Sequence, residues 1–349
     1  MTFRIHAILP FFLTALCQPV CAQRQFLDEG HLDVNWVLDD GVLFAEYLDD
    51  EESFPPLRVG LNDAVMLARD GSFADGEGSR AARLPNPVWD VLGVDAGDPI
   101  WLFPDDNFGD PILEPGFATD GVPFGSPDEF RIDLDDVVFH GEGEGFVTLY
   151  TNINTPYMAT SDGIDGDDFY VLGRGDHQHM WWAFTAPGIY EIHLTGSFEN
   201  DGEPVSSEPQ RLIVAVAASP MDLWLLENGV EPSQLGDKDS PAGDGVPNLL
   251  KYALGLPPLE RVEGALVEAA LVEHDAENFL VLDLPLNPQA EGIAVRVETS
   301  ADLVNWEAGA GHTVVLEHSA ERIHVRDAVA VGDAGRRFIR LAVERDDSE

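Results

Sequence analysis

The sequence predicts an all-β protein: two β-sandwich domains joined by a short helical and acidic linker, behind a cleaved signal peptide. Three observations carry this. Apolar and polar residues alternate with period two over 31–38 and 131–139. Turn formers are dense, with 33 glycines and 24 prolines in 349 residues. Between residues 23 and 217 no segment has the 3.6-residue periodicity of a long amphipathic helix.

Taken in order, Arg4 and His6 precede an apolar stretch over 8–16, and Val20-Cys21-Ala22 puts small residues before a cut after Ala22. That is the pattern of an export signal over 1–22, too short to remain as a bilayer span. Residues 23–217 make the first sandwich. A strand over 31–38 turns at Asp39-Asp40-Gly41 and returns over 42–47. Residues 62–69 form a short helix or a strand, and 99–104 is a short apolar run between prolines. Residues 105–125, rich in Asp, Gly and Pro, read as a long loop. Strands resume at 131–139, 146–150, 180–185, 189–197 and 211–217. Residues 218–258 form the linker, with short helices at 220–228 and 247–255, the second stopped by Gly255. Residues 259–349 return to strands and make the second, smaller sandwich.

Acids outnumber bases 64 to 19, a net charge of −45, and Lys238 and Lys251 are the only lysines. Such a surface repels phosphate backbones and anionic lipid, which excludes nucleic acid as a partner, and it accumulates cations. It also suits a salt-rich medium, where self-repulsion is screened. Both cysteines, Cys17 and Cys21, fall within the leader. The mature chain is then free of disulfides, thiolate metal sites and cysteine nucleophiles. With a charged C-terminal stretch and no apolar tail, it is expected to be secreted or periplasmic, without a membrane span.

The residues most suited to chemistry are histidines. His177 and His179 lie two apart, so on a strand both imidazoles share a face and can reach one point. Neutral imidazole suits zinc, copper, iron and nickel. His31 and Asp33 repeat the spacing on another strand with a histidine and a carboxylate. The two pairs on adjacent strands give three histidines and an acid. His140, at a strand end, and His193, on a solvated strand face, are better read as ordinary surface histidines. In the linker, Asp237, Asp239 and Asp244 make an oxygen-rich, Gly-containing loop of the kind that suits calcium, although its spacing is not that of an EF-hand. The loop over 162–168 is a weaker version. No nucleophile elbow, His-Glu-x-x-His, phosphate loop or dinucleotide fingerprint occurs, which lowers the odds of an enzyme.

Glu29-Gly30-His31-Leu32-Asp33-Val34, followed by Gly175-Asp176-His177-Gln178-His179-Met180-Trp181-Trp182-Ala183-Phe184-Thr185-Ala186-Pro187-Gly188-Ile189-Tyr190, resembles the choice-of-anchor M domain, also described as the actinobacterial surface-anchored repeat. The resemblance spans about residues 26–217. It implies an extracellular β-domain, often carried beside metal-type ABC transporters, in which His31, His177 and His179 are the positions that matter. This chain departs from the family in carrying no anchor. Residues 243–255, Gly-Asp-Gly-Val-Pro-Asn-Leu-Leu-Lys-Tyr-Ala-Leu-Gly, are similar to a degenerate thrombospondin type 3 calcium repeat of large secreted proteins from Verrucomicrobia-like bacteria. The stretch 295–306 resembles the terminal β-sandwich that follows it there.

The expected function is therefore a secreted, non-catalytic metal-binding protein. It captures or delivers a transition metal, zinc first, through His31, Asp33, His177 and His179, with calcium as a possible second ion. Its partners are the metal ion and a metal transport system or cell-surface component. The alternative is a carbohydrate or surface-adhesion module stacking sugars on Trp101, Trp181 or Trp182. Less favoured is a metallohydrolase with an open coordination position and Asp176 as its acid.

Overall fold

The computed structural model describes residues 23–49, 55–106, 109–125, 127–264, 269–334 and 336–346. The signal peptide expected over 1–22 lies outside the described residues.

The chain is built from strands, with short helices between them. Residues 23–217 form three sheets around one core rather than two layers alone. In the seven-stranded sheet the strands run Gln25–Leu27, Ala64–Ala68, Gln210–Val216, Gly188–Asn200, Phe130–Gly141 and Phe169–Leu172, with Glu203–Ser206 pairing on Gly188–Asn200. A five-stranded sheet runs Met158–Ala159, Val147–Tyr150, Trp181–Phe184, Pro99–Phe103 and Arg80–Ala82. The other five-stranded sheet runs His177–His179, Leu113–Gly121, Gly30–Asp39, Val42–Asp49 and Leu57–Gly60.

The core explains why the sequence alternates. Leu32, Val34 and Trp36 point inward, beside Tyr47 and Ala45 of the returning strand and Phe117 of the neighbouring one. They meet Ile132, Leu134, Tyr190 and Ile192 of the seven-stranded sheet, and Phe103, Trp182 and Phe184 of the other. The hairpin turn is Asp40-Gly41, with φ +47° and +83°, the left-handed pair a two-residue type I′ turn requires.

Two expectations change. Residues 105–125 are not one loop, because Leu113–Gly121 is a nine-residue strand in the interior of its sheet, between His177–His179 and Gly30–Asp39. Pro115 and Gly116 weaken the strand signal there, although Leu113 and Phe117 keep the inward alternation. Segment 218–258 is also more than a connector. Its helix Pro220–Glu227 puts Met221, Leu225 and Leu226 on Ile189, Ile213 and Ala215, the outer face of the seven-stranded sheet. Helix Asn248–Leu254 adds Tyr252 to that cluster and Leu254 to the next one. The last part pairs Ala269–His274, Glu277–Pro285, Arg322–Asp327 and Thr313–His318 in one sheet, and Ile293–Ser300 with Phe338–Arg345 in another. Leu282, Leu284, Val297, Ile323 and Val325 close between the two.

Candidate metal centre

The alternation that sends Leu32, Val34 and Trp36 into the core sends His31, Asp33 and Asn35 to the opposite face. That face is covered as well: His31 is 6%, Asp33 2% and Asn35 0% exposed. A half-buried strand therefore becomes a strand buried on both sides, and its second side is polar.

Strand Leu113–Gly121 organises this face. It runs parallel to Gly30–Asp39 on one side and antiparallel to His177–His179 on the other. The register puts Asp33, Gly116 and His179 on one transverse line and pairs His31 with Glu114. Side chains on such a line share a face, and here the middle one is missing. A Cβ on Gly116 would stand 2.8 Å from Asp33 Oδ1, 2.9 Å from the Gln178 carbonyl and 3.0 Å from His179 Cδ2. The glycine lets a carboxylate and an imidazole approach each other across an intervening strand.

The edge strand is held in register by the turn before it. Gly175 takes φ +86°. The Thr119 hydroxyl sits 2.8 Å from the Gly173 carbonyl and 3.1 Å from that of Asp176, and it accepts from the Gly175 N–H at 2.9 Å. The Thr119 N–H donates to the Asp176 carbonyl at 3.0 Å. Asn35 Oδ1 accepts from the Asp120 N–H at 3.1 Å, fixing the other side of the same strand.

The resulting group is compact. His31 Nε2 lies 3.5 Å from Asp33 Oδ2, and His179 Nε2 lies 3.6 Å from Asp33 Oδ1. On the other side of its ring, His31 Nδ1 lies 3.6 Å from Asp49 Oδ1. The His31 and His179 ring centroids are 4.7 Å apart. His177 stands further out, its ring 6.4 Å from His31 and 5.9 Å from His179, and it is exposed. One ligand atom each from His31, Asp33 and His179 lies within 4.8 Å of the others, so these three residues can hold a metal ion. All four ring nitrogens of His31 and His179 are buried and none makes a well-formed hydrogen bond, the His179 ring having only a weak one with the Glu114 backbone. Burying such atoms unpaired costs about 1–3 kcal/mol each, a cost that coordination to an ion would remove for one nitrogen of each ring.

Burial, with smaller contributions from His31 and His177, pushes the His179 imidazolium down to about 4; the Glu114 backbone and Asp106 act weakly the other way. Burial thus favours the neutral form of His179, the form that can coordinate a metal.

The remaining sequence candidates lie elsewhere. His140 Nε2 is 2.7 Å from Glu191 Oε1, in an ion-pair chain with Arg211. His193 faces Asp136 and Arg211 in register on the seven-stranded sheet. Among the described residues Asp237, Asp239 and Asp244 are not gathered into a metal-holding group. Asp237 Oδ1 accepts from Arg345 at 2.9 Å, and Asp239 Oδ2 accepts from the Gly236 N–H at 3.0 Å. Asp244 accepts from the Val246 and Val262 N–H groups, from Ser240 and from Lys251. The Val262 N–H first, then the others, hold its carboxyl well below the usual range. Lys251 is fully buried, with Nζ 3.0 Å from Asp244 Oδ2, 3.0 Å from the Pro258 carbonyl and 2.7 Å from that of Glu260. An ammonium thus engages Asp244, one of the three aspartates of the calcium reading. Of the tryptophans considered for sugar stacking, Trp101 and Trp182 are buried and Trp181 is partly exposed.

Sequence reasoning missed Asp49 and Gly116. Asp49 follows the apolar Leu48 at a strand end and carries no spacing signal, whereas Gly116 sits inside a strand whose composition is that of a loop. No protein-family model matches the chain, and no curated protein matches it significantly.

Proposed function

We propose that this protein is an exported, non-catalytic binder of a transition metal ion, zinc first, which it captures or delivers outside the cytoplasm. His31, Asp33 and His179 are the inner ligands, and the exposed His177 closes the site from the solvent side. The observation that carries the reading is the pair of 3.5 and 3.6 Å separations from two Nε2 atoms to the two oxygens of Asp33. They are too long for hydrogen bonds. Zinc bonds of 2.0–2.1 Å to N and O in a tetrahedron put neighbouring ligands about 3.3 Å apart, so a small inward shift converts the group into a coordination shell. Imidazole nitrogen favours zinc, copper, iron or nickel over calcium, which takes oxygen ligands. The resemblance of 26–217 to the choice-of-anchor M domain supports both export and a metal transporter or surface component as the receiving partner.

The test is metal analysis of untagged protein, followed by zinc titration against a chromophoric chelator. One equivalent bound tightly, and lost in His179→Ala, is the expected result. No stoichiometric zinc, copper, iron or manganese, with titration indistinguishable between wild type and variant, overturns the proposal.

A further inference from the structure

We infer that Asp49 is a positioning residue for this centre, fixing the His31 ring so that Nε2 is the nitrogen presented to the ion. The inference rests on the metal-binding reading above.

His31 has two nitrogens and each faces a different carboxylate. Nε2 faces Asp33, which also faces His179, and Nδ1 faces Asp49 on the far side of the ring at 3.6 Å. Asp49 is outside the group of converging ligand atoms. A neutral imidazole carries one proton, and the nitrogen that binds a metal must be the bare one. A carboxylate behind Nδ1 draws the proton to that side and leaves the Nε2 lone pair aimed at Asp33 and His179. A charge-assisted hydrogen bond at about 2.8 Å needs the Asp49 side chain, at the end of its strand, to follow the ring by about 0.8 Å from its present 3.6 Å. Asp49 is only 8% exposed and His31 6%, so little water competes for that proton. Its position is set by the sheet: Asp49 ends strand Val42–Asp49, whose neighbouring Leu48 pairs with Asp33 itself. One strand pair thus supplies His31, the carboxylate that shares the ion with it and the carboxylate that orients it. Removing an orienting partner of a metal-bound histidine typically costs 10–100-fold in affinity.

The experiment compares zinc affinity, by chelator competition, in wild type, Asp49→Asn and Asp49→Ala, with nitrogen-15 spectra of the His31 ring in the zinc-loaded proteins. The expected result is a loss of about 10–100-fold in Asp49→Ala, with partial recovery in Asp49→Asn, whose amide oxygen still accepts from Nδ1. The wild-type spectrum shows protonated Nδ1 and metal-bound Nε2. Unchanged affinity in Asp49→Ala, equal losses in Asp49→Ala and Asp49→Asn, or coordination through Nδ1 overturns this inference while leaving the metal site standing. Absence of zinc binding in the wild type overturns the parent reading instead.

Discussion

Replacing Gly116 by alanine adds one methyl group and tests the geometry of the centre directly. Backbone strain is not at issue, because Gly116 lies in a regular strand paired on both sides. The new Cβ would stand 2.8 Å from Asp33 Oδ1, 3.0 Å from His179 Cδ2 and 2.9 Å from the Gln178 carbonyl. Ordinary contacts need about 0.4–0.8 Å more than this on each side. The Gln178 carbonyl is backbone and moves only with the edge strand, so relief comes from pushing Asp33 and His179 apart. Their present 3.6 Å then opens past 4 Å, near the limit that two bonds of about 2.0–2.2 Å can span. Overpacking of this kind costs about 1–3 kcal/mol of stability. Losing one ligand contact lowers zinc affinity by at least about tenfold, or 1.4 kcal/mol. Chelator competition reads the affinity, and thermal unfolding of the metal-free protein reads the stability separately. A folded Gly116→Ala protein that binds zinc as tightly as wild type would refute the idea that the ion sits over this glycine.

Zinc at 100 times its Kd should stabilise the native protein by about 2.7 kcal/mol; calorimetry should show a melting temperature that rises with zinc in wild type and not in His31→Ala. For pH, the folded His179 value of about 4 lies below the unfolded 6.5. The unfolded chain therefore takes up the proton first, so this stability is complete above about pH 6.5 and drains away as pH falls towards 4. The full shift corresponds to ~3 kcal/mol, reduced to on the order of 2 kcal/mol for the ring's partial exposure. Urea unfolding of metal-free wild type and His179→Gln at pH 7 and pH 4.5 should show a steeper decline in the wild type; parallel declines would count against a buried neutral ring. Millimolar calcium should leave the melting of the C-terminal half unchanged, because Lys251 and backbone donors already engage Asp244. Lys251→Ala, which strands that buried carboxylate, should lower it markedly. A calcium-dependent rise in the wild type would restore the ion-loop reading.

The legible part of this molecule is what periodicity records. Period two in 31–38 gave a strand, and spacing by two in His31-x-Asp33 and His177-x-His179 put each pair on a common face. Adjacency was not legible. His177–His179 and Gly30–Asp39 are not neighbours; they are bridged by Leu113–Gly121, whose Pro115 and Gly116 look like loop residues. The same feature that hides the strand builds the centre, since a larger residue at position 116 would give a clearer strand signal and fill the space between Asp33 and His179. In the acidic linker it was the side-chain partners that were not legible. Its aspartates have the composition of a calcium loop, and the fold adds partners that spacing does not record: Arg345, from 108 residues away in sequence, and the N–H groups of Val246 and Val262. A carboxylate's partners are set by tertiary structure, so a count of acids overstates the number of cation sites.

The net charge sharpens this point. With 64 acidic residues, the surface attracts every cation in the medium, and attraction of that kind is screened by salt and does not distinguish zinc from calcium or magnesium. Selection needs a donor that hard ions do not prefer, placed where solvent does not compete. His31 and His179 meet both conditions: they offer nitrogen, and their nitrogens are buried. Asp33 faces both rings, and Asp49 stands behind the His31 ring. On the proposed metal-binding function, the acidic exterior would raise the local concentration of ions, and two buried imidazoles with one shared carboxylate would choose among them.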